Sequence, residues 1–471
     1  MRVSAAAIAL SAIAVSSSLL VSPAVAAPSA SGSTSIAKAS ASSARPKKFL
    51  NVTAEAEPGK VTFRWQHDGA STTGYVLETA LSPFSKTSSS LPKKGRNDRV
   101  WAIPASARSF TLSGDQLVTA GAPAGSANHL YYRLFARNAN GKGVAAERAY
   151  PYLGAVMPKV AAANGQDVRI ASFNVRTARA TDDARSWLVR RADIADEIIT
   201  YAPEVTALQE IGPGRADGKV GSTTGHVRQT VSLLDTLKAK GASQYKMVRT
   251  TPYVEPGKPT NTQGMRLLYD STRVSLLSDC SEKTGKRNYS ADCSFTLPLL
   301  PGDSESLRRR AAYAEFRDLA SGKRFFVVST HLDVRHDKNK KQEKIYNELR
   351  RDQMNTIITT MKKINTADRP IVVAGDMNSW QTITVGNGPH DALFADGFED
   401  TAAAPKAVNL QYSTFNAFAK TLHLYPQGYG NRLDLIMTKG FAGVTRFENV
   451  TKRTDTSRPS DHNMIVADTV L

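Results

Sequence analysis

Four short apolar runs in this chain each end in a polar signature, and this pattern constrains the fold more than any bulk property. The runs are Ile170-Ala171-Ser172-Phe173-Asn174, Val205-Thr206-Ala207-Leu208-Gln209-Glu210, Val327-Val328-Ser329-Thr330-His331 and Ile371-Val372-Val373-Ala374-Gly375-Asp376-Met377-Asn378. A strand covered on both faces reads as a continuous hydrophobic run rather than an alternation. Its last residue emerges at the sheet edge, so four such ends gather an amide, a carboxylate, an imidazole and an Asp-x-Asn pair on one rim. Two further pieces lie near the C-terminus. Arg432-Leu433-Asp434 opens an apolar run, and Ser460-Asp461-His462 stands just before the last one.

Between these runs the pattern is helical. Leu188, Ala192, Ala195, Ile198 and Ile199 recur at helical spacing before the Val205 run. Ile345, Leu349, Ile357, Met361 and Ile364 mark a longer amphipathic helix between the His331 and Asp376 runs. Arg317-Asp318-Leu319-Ala320-Ser321-Gly322-Lys323-Arg324 reads as a hairpin turn. Hairpins mixed with β-α-β units predict an α/β sandwich over residues 165–471.

Residues 47–155 read differently. Short alternating runs (Val61-Thr62-Phe63-Arg64-Trp65, Gly74 to Thr79, Ser109 to Leu112, Leu130 to Arg137) are separated by Gly, Pro, Ser and Asn. That spacing predicts a small all-β sandwich without helices. The segment resembles a fibronectin type III domain, an immunoglobulin-like fold. Trp65 and Tyr75 fall at the positions of its core aromatics, and Tyr132-x-Leu134-x-Ala136-x-Asn138-x-Asn140-x-x-Gly143 resembles its penultimate strand and following turn.

At 471 residues, two domains are expected. Arg2, the apolar stretch Ala5 to Val21 and the small residues Ala24-Val25-Ala26 read as an export leader over 1–26, cleaved after Ala26. Residues 27–46 read as a flexible linker. The mature chain is expected to be secreted and monomeric, with no transmembrane segment. Cys280 and Cys293, the two cysteines of the chain, are expected to pair in an exported protein. The formal net charge of +19 fits an anionic substrate, a cell wall or a membrane surface equally well. The sandwich carries no catalytic constellation and reads as a contact module for a cell wall or polymer.

The rim residues are suited to hydrolysing a phosphoester. Hard divalent cations take oxygen ligands, so Glu210 is the natural metal ligand, with Asn174 supplying a second oxygen or orienting a phosphate. Asp376 and Asn378 stand two apart on an extended segment and project from the same side. The aspartate could orient or deprotonate water while the amide donates to a phosphate oxygen. His462 needs a carboxylate to fix its tautomer, and Asp434 is the natural partner. His331 could protonate or stabilise the leaving oxygen. Arg308-Arg309-Arg310 and Lys338-Asn339-Lys340-Lys341 flank the His331 run and could grip phosphates.

These pieces, in this order, resemble the endonuclease/exonuclease/phosphatase superfamily. The resemblance rests on Ser172-Phe173-Asn174, Leu208-Gln209-Glu210, Thr330-His331-Leu332, Gly375-Asp376-Met377-Asn378, Arg432-Leu433-Asp434 and Ser460-Asp461-His462. It implies a four-layered α/β/β/α sandwich of the deoxyribonuclease I type and metal-dependent hydrolysis with Mg2+, or with Mn2+ or Ca2+. It also implies metal binding at Glu210 with Asn174 and Asp461 close by, and catalytic roles for Asp376, Asn378, Asp434 and His462. Deoxyribonuclease I orients its equivalent of His331 with a glutamate, whereas the matching stretch Asn261 to Arg266 offers no acid. The expected activity is a secreted nuclease acting on DNA or RNA. The alternatives are a sphingomyelinase-like or other lipid or small-molecule phosphoesterase and, third, an inactive binding protein.

Overall fold

The continuous apolar runs are strands whose alternate residues enter two different cores. Ile170, Val327, Val372 and Ala374 point into a core between two sheets. Their neighbours Ala171 and Phe173 face one outer layer, and Val328 and Val373 face the other. In this computed structural model, residues 46–471 are described except 47–48, 58, 81–98, 124, 141–142, 146–150, 154–166, 180–184, 213, 249–263, 281–292, 382, 384, 424–429 and 452–457. The expected export leader, all of the expected linker but Pro46, and Asn261 to Gln263 lie outside the described residues.

The N-terminal part consists of β1 (Leu50–Glu57), β2 (Lys60–Gln66), β3 (Gly74–Ala80), β4 (Val100–Ile103), β5 (Ser109–Ser113), α1 (Asp115–Ala120), β6 (His129–Arg137), β7 (Gly143–Ala145) and β8 (Pro151–Leu153). One sheet has the order β1-β2-β5; the other runs β4-β3-β6-β7, with β8 also paired to β6. Phe63, Trp65, Tyr75, Leu77, Leu112 and Tyr132 fill the space between them. One element departs from the all-strand expectation. Helix α1 sits between Gly114 and Gly121, both at positive φ, and turns Leu117 and Ala120 inward at helical spacing.

The larger part follows with β9 (Asp167–Asn174), α2 (Trp187–Tyr201), β10 (Val205–Gln209), α3 (Gln229–Ala239), β11 (Tyr245–Met247), β12 (Arg266–Asp270), β13 (Val274–Leu276), β14 (Ser294–Thr296), β15 (Arg310–Asp318) and β16 (Arg324–His331). It continues through α4 (Lys340–Ile364), β17 (Ile371–Asp376), α5 (Gly388–Ala395), β18 (Glu399–Asp400), β19 (Lys406–Val408), β20 (Asp434–Lys439), β21 (Gly443–Asn449) and β22 (Ile465–Val470). The first sheet is ordered β11-β12-β10-β9-β22-β21-β19. The second is β13-β15-β16-β17-β20-β18, with β14 also paired to β15. Helices α2 and α3 cover the outer face of the first sheet, and α4 and α5 that of the second. The result is a four-layered α/β/β/α sandwich. Leu188 and Ile345, read from their spacing as core-facing, are each 45% exposed. The stripes of α2 and α4 are therefore narrower than the sequence pattern.

Strand direction explains why the polar residue ends four runs and precedes two. β9 and β10 are parallel, as are β16 and β17. β22 runs antiparallel to β9, and β20 antiparallel to β17. The final residues of the first four strands therefore meet the entry residues of the last two. Beneath this rim a polar bridge ties the sheets together. Gln209 Nε2 donates to Ser329 Oγ at 3.2 Å, and Ser329 Oγ donates to the Leu208 carbonyl at 3.0 Å. Cys280 and Cys293 form the expected disulfide. Among the described residues, no helix is long and apolar enough to cross a membrane.

Candidate active site

The eight candidate residues of the rim converge, and all eight are buried. Asp376 and Asp434 are register partners on β17 and β20, and His331 is the register partner of Asp376 on β16. This close approach requires the glycine of the Gly-Asp-x-Asn motif. Gly375 has φ +153°, and a Cβ there would stand 2.0 Å from the Thr330 carbonyl oxygen. Glu210 (φ 56°) and Asn378 (φ 46°) also hold left-handed backbone. Such strain persists only where the surrounding structure fixes it.

His462 and Asp434 form the expected pair, with Nδ1 2.8 Å from Oδ2. The opposite ring nitrogen, Nε2, stands 3.6 Å from Asp376 Oδ2. Burial alone disfavours the charged imidazole, but Asp434 and then Asp376 overcome it and push His462 up to about 10. Burial likewise raises the Asp376 carboxyl to about 7, against His462 and reinforced by Asp434. Asp434 Oδ1 is buried without a hydrogen-bond partner.

Asn174 spans the two sheets. Its amide nitrogen donates to Asp376 Oδ2 at 3.1 Å and to Glu210 Oε1 at 3.3 Å. Its oxygen accepts from the Arg176 backbone N–H. Asn174 thus aligns two carboxylates rather than presenting an oxygen beside Glu210. The Asn378 amide nitrogen donates to the Leu332 carbonyl, and its backbone N–H to Asp376 Oδ1. His331 Nε2 lies 3.4 Å from Asp376 Oδ2, and its Nδ1 has no partner. Burial first, then the Arg309, His462 and Arg176 charges, hold His331 well below its ordinary value. That shift favours the neutral imidazole, which can donate a hydrogen bond from one ring nitrogen.

The oxygen donors fit a hard divalent cation. Glu210 and Asp461 line one cleft, and burial followed by the Glu210 charge raises the Asp461 carboxyl despite the opposing His462. A cation between them would relieve that repulsion. Asp376, Asp434 and His462 also bring one ligand atom each within 4.8 Å of one another. In that group, however, Nδ1 of His462 is already engaged by Asp434.

The cleft measures about 670 Å³. Its floor is Glu210, His331, Asp376, Asn378, Asp461 and His462. Its walls bring residues that no strand-end pattern marks: Arg176, Val334, His336, Trp380, Phe415 and Phe418. Arg176 pairs with Asp461 at 3.2 Å. Phe415 lies edge-on to His462, and His336 packs against Trp380, each with ring centroids 5.0 Å apart. Of the Arg308–Arg310 triplet, Arg309 is buried and interacts electrostatically with the acidic groups of the site. Burial lowers its pKa against the Asp333, Glu210 and Asp376 charges. Arg308 instead pairs with Glu305, and Arg310 donates to Ser294.

No family model and no curated protein matches the sequence. Solved structures with a similar course of the chain include an endonuclease/exonuclease/phosphatase of Bacteroides vulgatus. It is 23% identical, with 65% of this chain and 99% of that one covered and a TM-score of 0.47. A mannosyl-6-phosphatase of Bacteroides thetaiotaomicron is 20% identical, over 64% of this chain and 100% of that one, with a TM-score of 0.45. The catalytic domain of human Nocturnin, solved with a bound sulfate, is 17% identical over 66% and 96%, with a TM-score of 0.43. At these values no activity is carried across, so function rests on the site itself.

Proposed function

We propose that the chain is a secreted, divalent-metal-dependent phosphodiesterase, best read as a nuclease acting on extracellular DNA or RNA. The observation that carries this reading is the Asp434–His462–Asp376 line set beside Asn174 and Glu210 in one cleft. Asp434 fixes the His462 tautomer, and His462 neutralises charge on a nonbridging phosphoryl oxygen. Asp376, with a carboxyl near neutrality, orients the attacking water and accepts its proton. Asn378 offers its remaining amide hydrogen to the phosphate, and neutral His331 donates a hydrogen bond to the leaving oxygen. A divalent cation, Mg2+ in first place, held by Glu210 and Asp461 with Asn174 aligning Glu210, would neutralise charge building on the phosphoryl group.

Export and the fibronectin type III resemblance belong to the same proposal, supported by the N-terminal sequence and the disulfide, and by the strand order of the sandwich. The domain limits 47–155 and 165–471 are part of it, as is a monomeric state. A second reading, a sphingomyelinase-like esterase, is favoured by the apolar wall of the cleft, where Val334 and Phe415 are 52% and 41% exposed. The test is hydrolysis of plasmid DNA, RNA and sphingomyelin by the mature protein, with Mg2+ or EDTA. Cleavage of nucleic acid that EDTA and Asp376→Ala both abolish supports the nuclease. Turnover of sphingomyelin alone moves the substrate to lipid, and no turnover of any of the three sinks both readings.

A further inference from the structure

The sandwich and the larger part belong to one compact unit, and among the described residues the segment after α1 is a buried contact between them. The segment after α1 is fully covered at Ser126, and Ala127 joins the core between the two large sheets. The Asp400 backbone N–H, on the edge strand β18, donates to the Gly125 carbonyl at 2.8 Å. His390 Nε2 donates to the Ser126 carbonyl at 2.9 Å and lies 3.3 Å from Asp400 Oδ2. Arg432 grips both oxygens of Asp400. His390, Asp400 and Arg432 are all buried.

Arg432 is two residues from Asp434. Its backbone N–H donates to Gln381 Oε1 at 3.0 Å, and Leu433 and Asp434 both donate to Thr414 Oγ1. The Leu433 carbonyl accepts from Met377, the residue after Asp376. A buried ion network holds its geometry only when each member is satisfied. The sandwich supplies two acceptors to this network, the Gly125 carbonyl to the Asp400 backbone and the Ser126 carbonyl to His390. Burial opposes charge on His390, but Asp391 and Asp400 keep it protonated up to about 9, so the Ser126 carbonyl faces an imidazolium.

We propose that the N-terminal sandwich is a working part of the active site: Ser126 closes the His390–Asp400–Arg432 network, which positions Asp434 against His462. His390 is a positioning residue in this scheme, and the sandwich does more than tether the protein. The inference rests on the catalytic reading of Asp434 and His462, but one of its readouts needs no turnover.

The test uses the full mature chain with His390→Ala, His390→Gln, Gly125→Val and the double variant His390→Ala/Gly125→Val. Gly125 has φ +77°, and a Cβ there would meet Glu399 Cγ at 3.1 Å, so valine wedges the contact from the sandwich side. The readouts are kcat and KM for a phosphodiester and the proton resonance of His462 Nδ1–H. His390→Ala and Gly125→Val should each lower kcat roughly tenfold with KM within about twofold, and the double variant should lose no more than the worse single one. Both single variants should move the His462 resonance, while His390→Gln, which keeps a donor, stays near the parent. An unmoved resonance with parental kcat in folded His390→Ala overturns the proposal, as do multiplicative losses in the double variant. If His390→Ala fails to fold, Gly125→Val decides by the same two readouts. A moved resonance in an enzyme that hydrolyses nothing sinks the catalytic reading and leaves the network standing.

Discussion

Replacing Asp434 by asparagine removes one negative charge and keeps the shape of the side chain. Its Oδ2 lies 2.8 Å from His462 Nδ1, and the Asp434 charge is the largest influence raising that imidazole against burial. Two unit charges about 4 Å apart at an effective dielectric near 20 interact by about 4 kcal/mol. That corresponds to about three pKa units. His462, held up to about 10, should therefore fall to near neutrality in Asp434→Asn. The amide can also present its N–H to Nδ1 and select the wrong tautomer. In a comparable buried Asp–His pair, that change lowers kcat about 10⁴-fold. The assay is kcat for bis-p-nitrophenyl phosphate from pH 5 to 10, with an NMR titration of His462 alongside. A kcat within tenfold of the parent, or an unchanged His462 titration, would refute the reasoning.

Glu210→Gln should raise the Mg2+ concentration needed for half-maximal rate by roughly 10–100-fold, measured by metal titration of hydrolysis. Gly375→Ala should yield little folded protein, read by soluble yield and thermal melting, because its Cβ has no room beside Thr330. Asp376→Asn should abolish turnover yet stabilise the cation-free protein at pH 8. The folded carboxyl of Asp376 is raised, so its contribution to stability is present below about pH 4 and lost as pH climbs through about 7. The gain should be roughly 2–5 °C at pH 8 and absent at pH 4, by calorimetry.

The strand ends were legible because burial on both faces leaves an unbroken apolar run whose polar terminus has no packing reason to be there. Asn174, Glu210, His331 and Asp376 are each visible for that reason, and the reversed placement of Asp434 and His462 follows from antiparallel pairing. The cleft walls were not legible. Arg176, Trp380, Phe415 and Phe418 lie on irregular segments, where no periodicity records which loops meet. The direction of an amide was equally hidden. Asn174 turns its nitrogen toward two carboxylates because both need a donor, a fact that exists only after the sheets stack. Arg309 could be singled out within its basic triplet only through its interaction with the Asp333, Glu210 and Asp376 charges. The link from Ser126 to Asp434 joins residues too far apart in the chain for any local pattern to report it.

The most direct test of the central claim is the Mg2+-dependent hydrolysis of bis-p-nitrophenyl phosphate by the mature protein, compared with His462→Ala. The account requires turnover that EDTA removes, that Mg2+ restores, and that His462→Ala lowers by at least about 10³-fold. Turnover that survives EDTA, or that persists in folded His462→Ala, would contradict it.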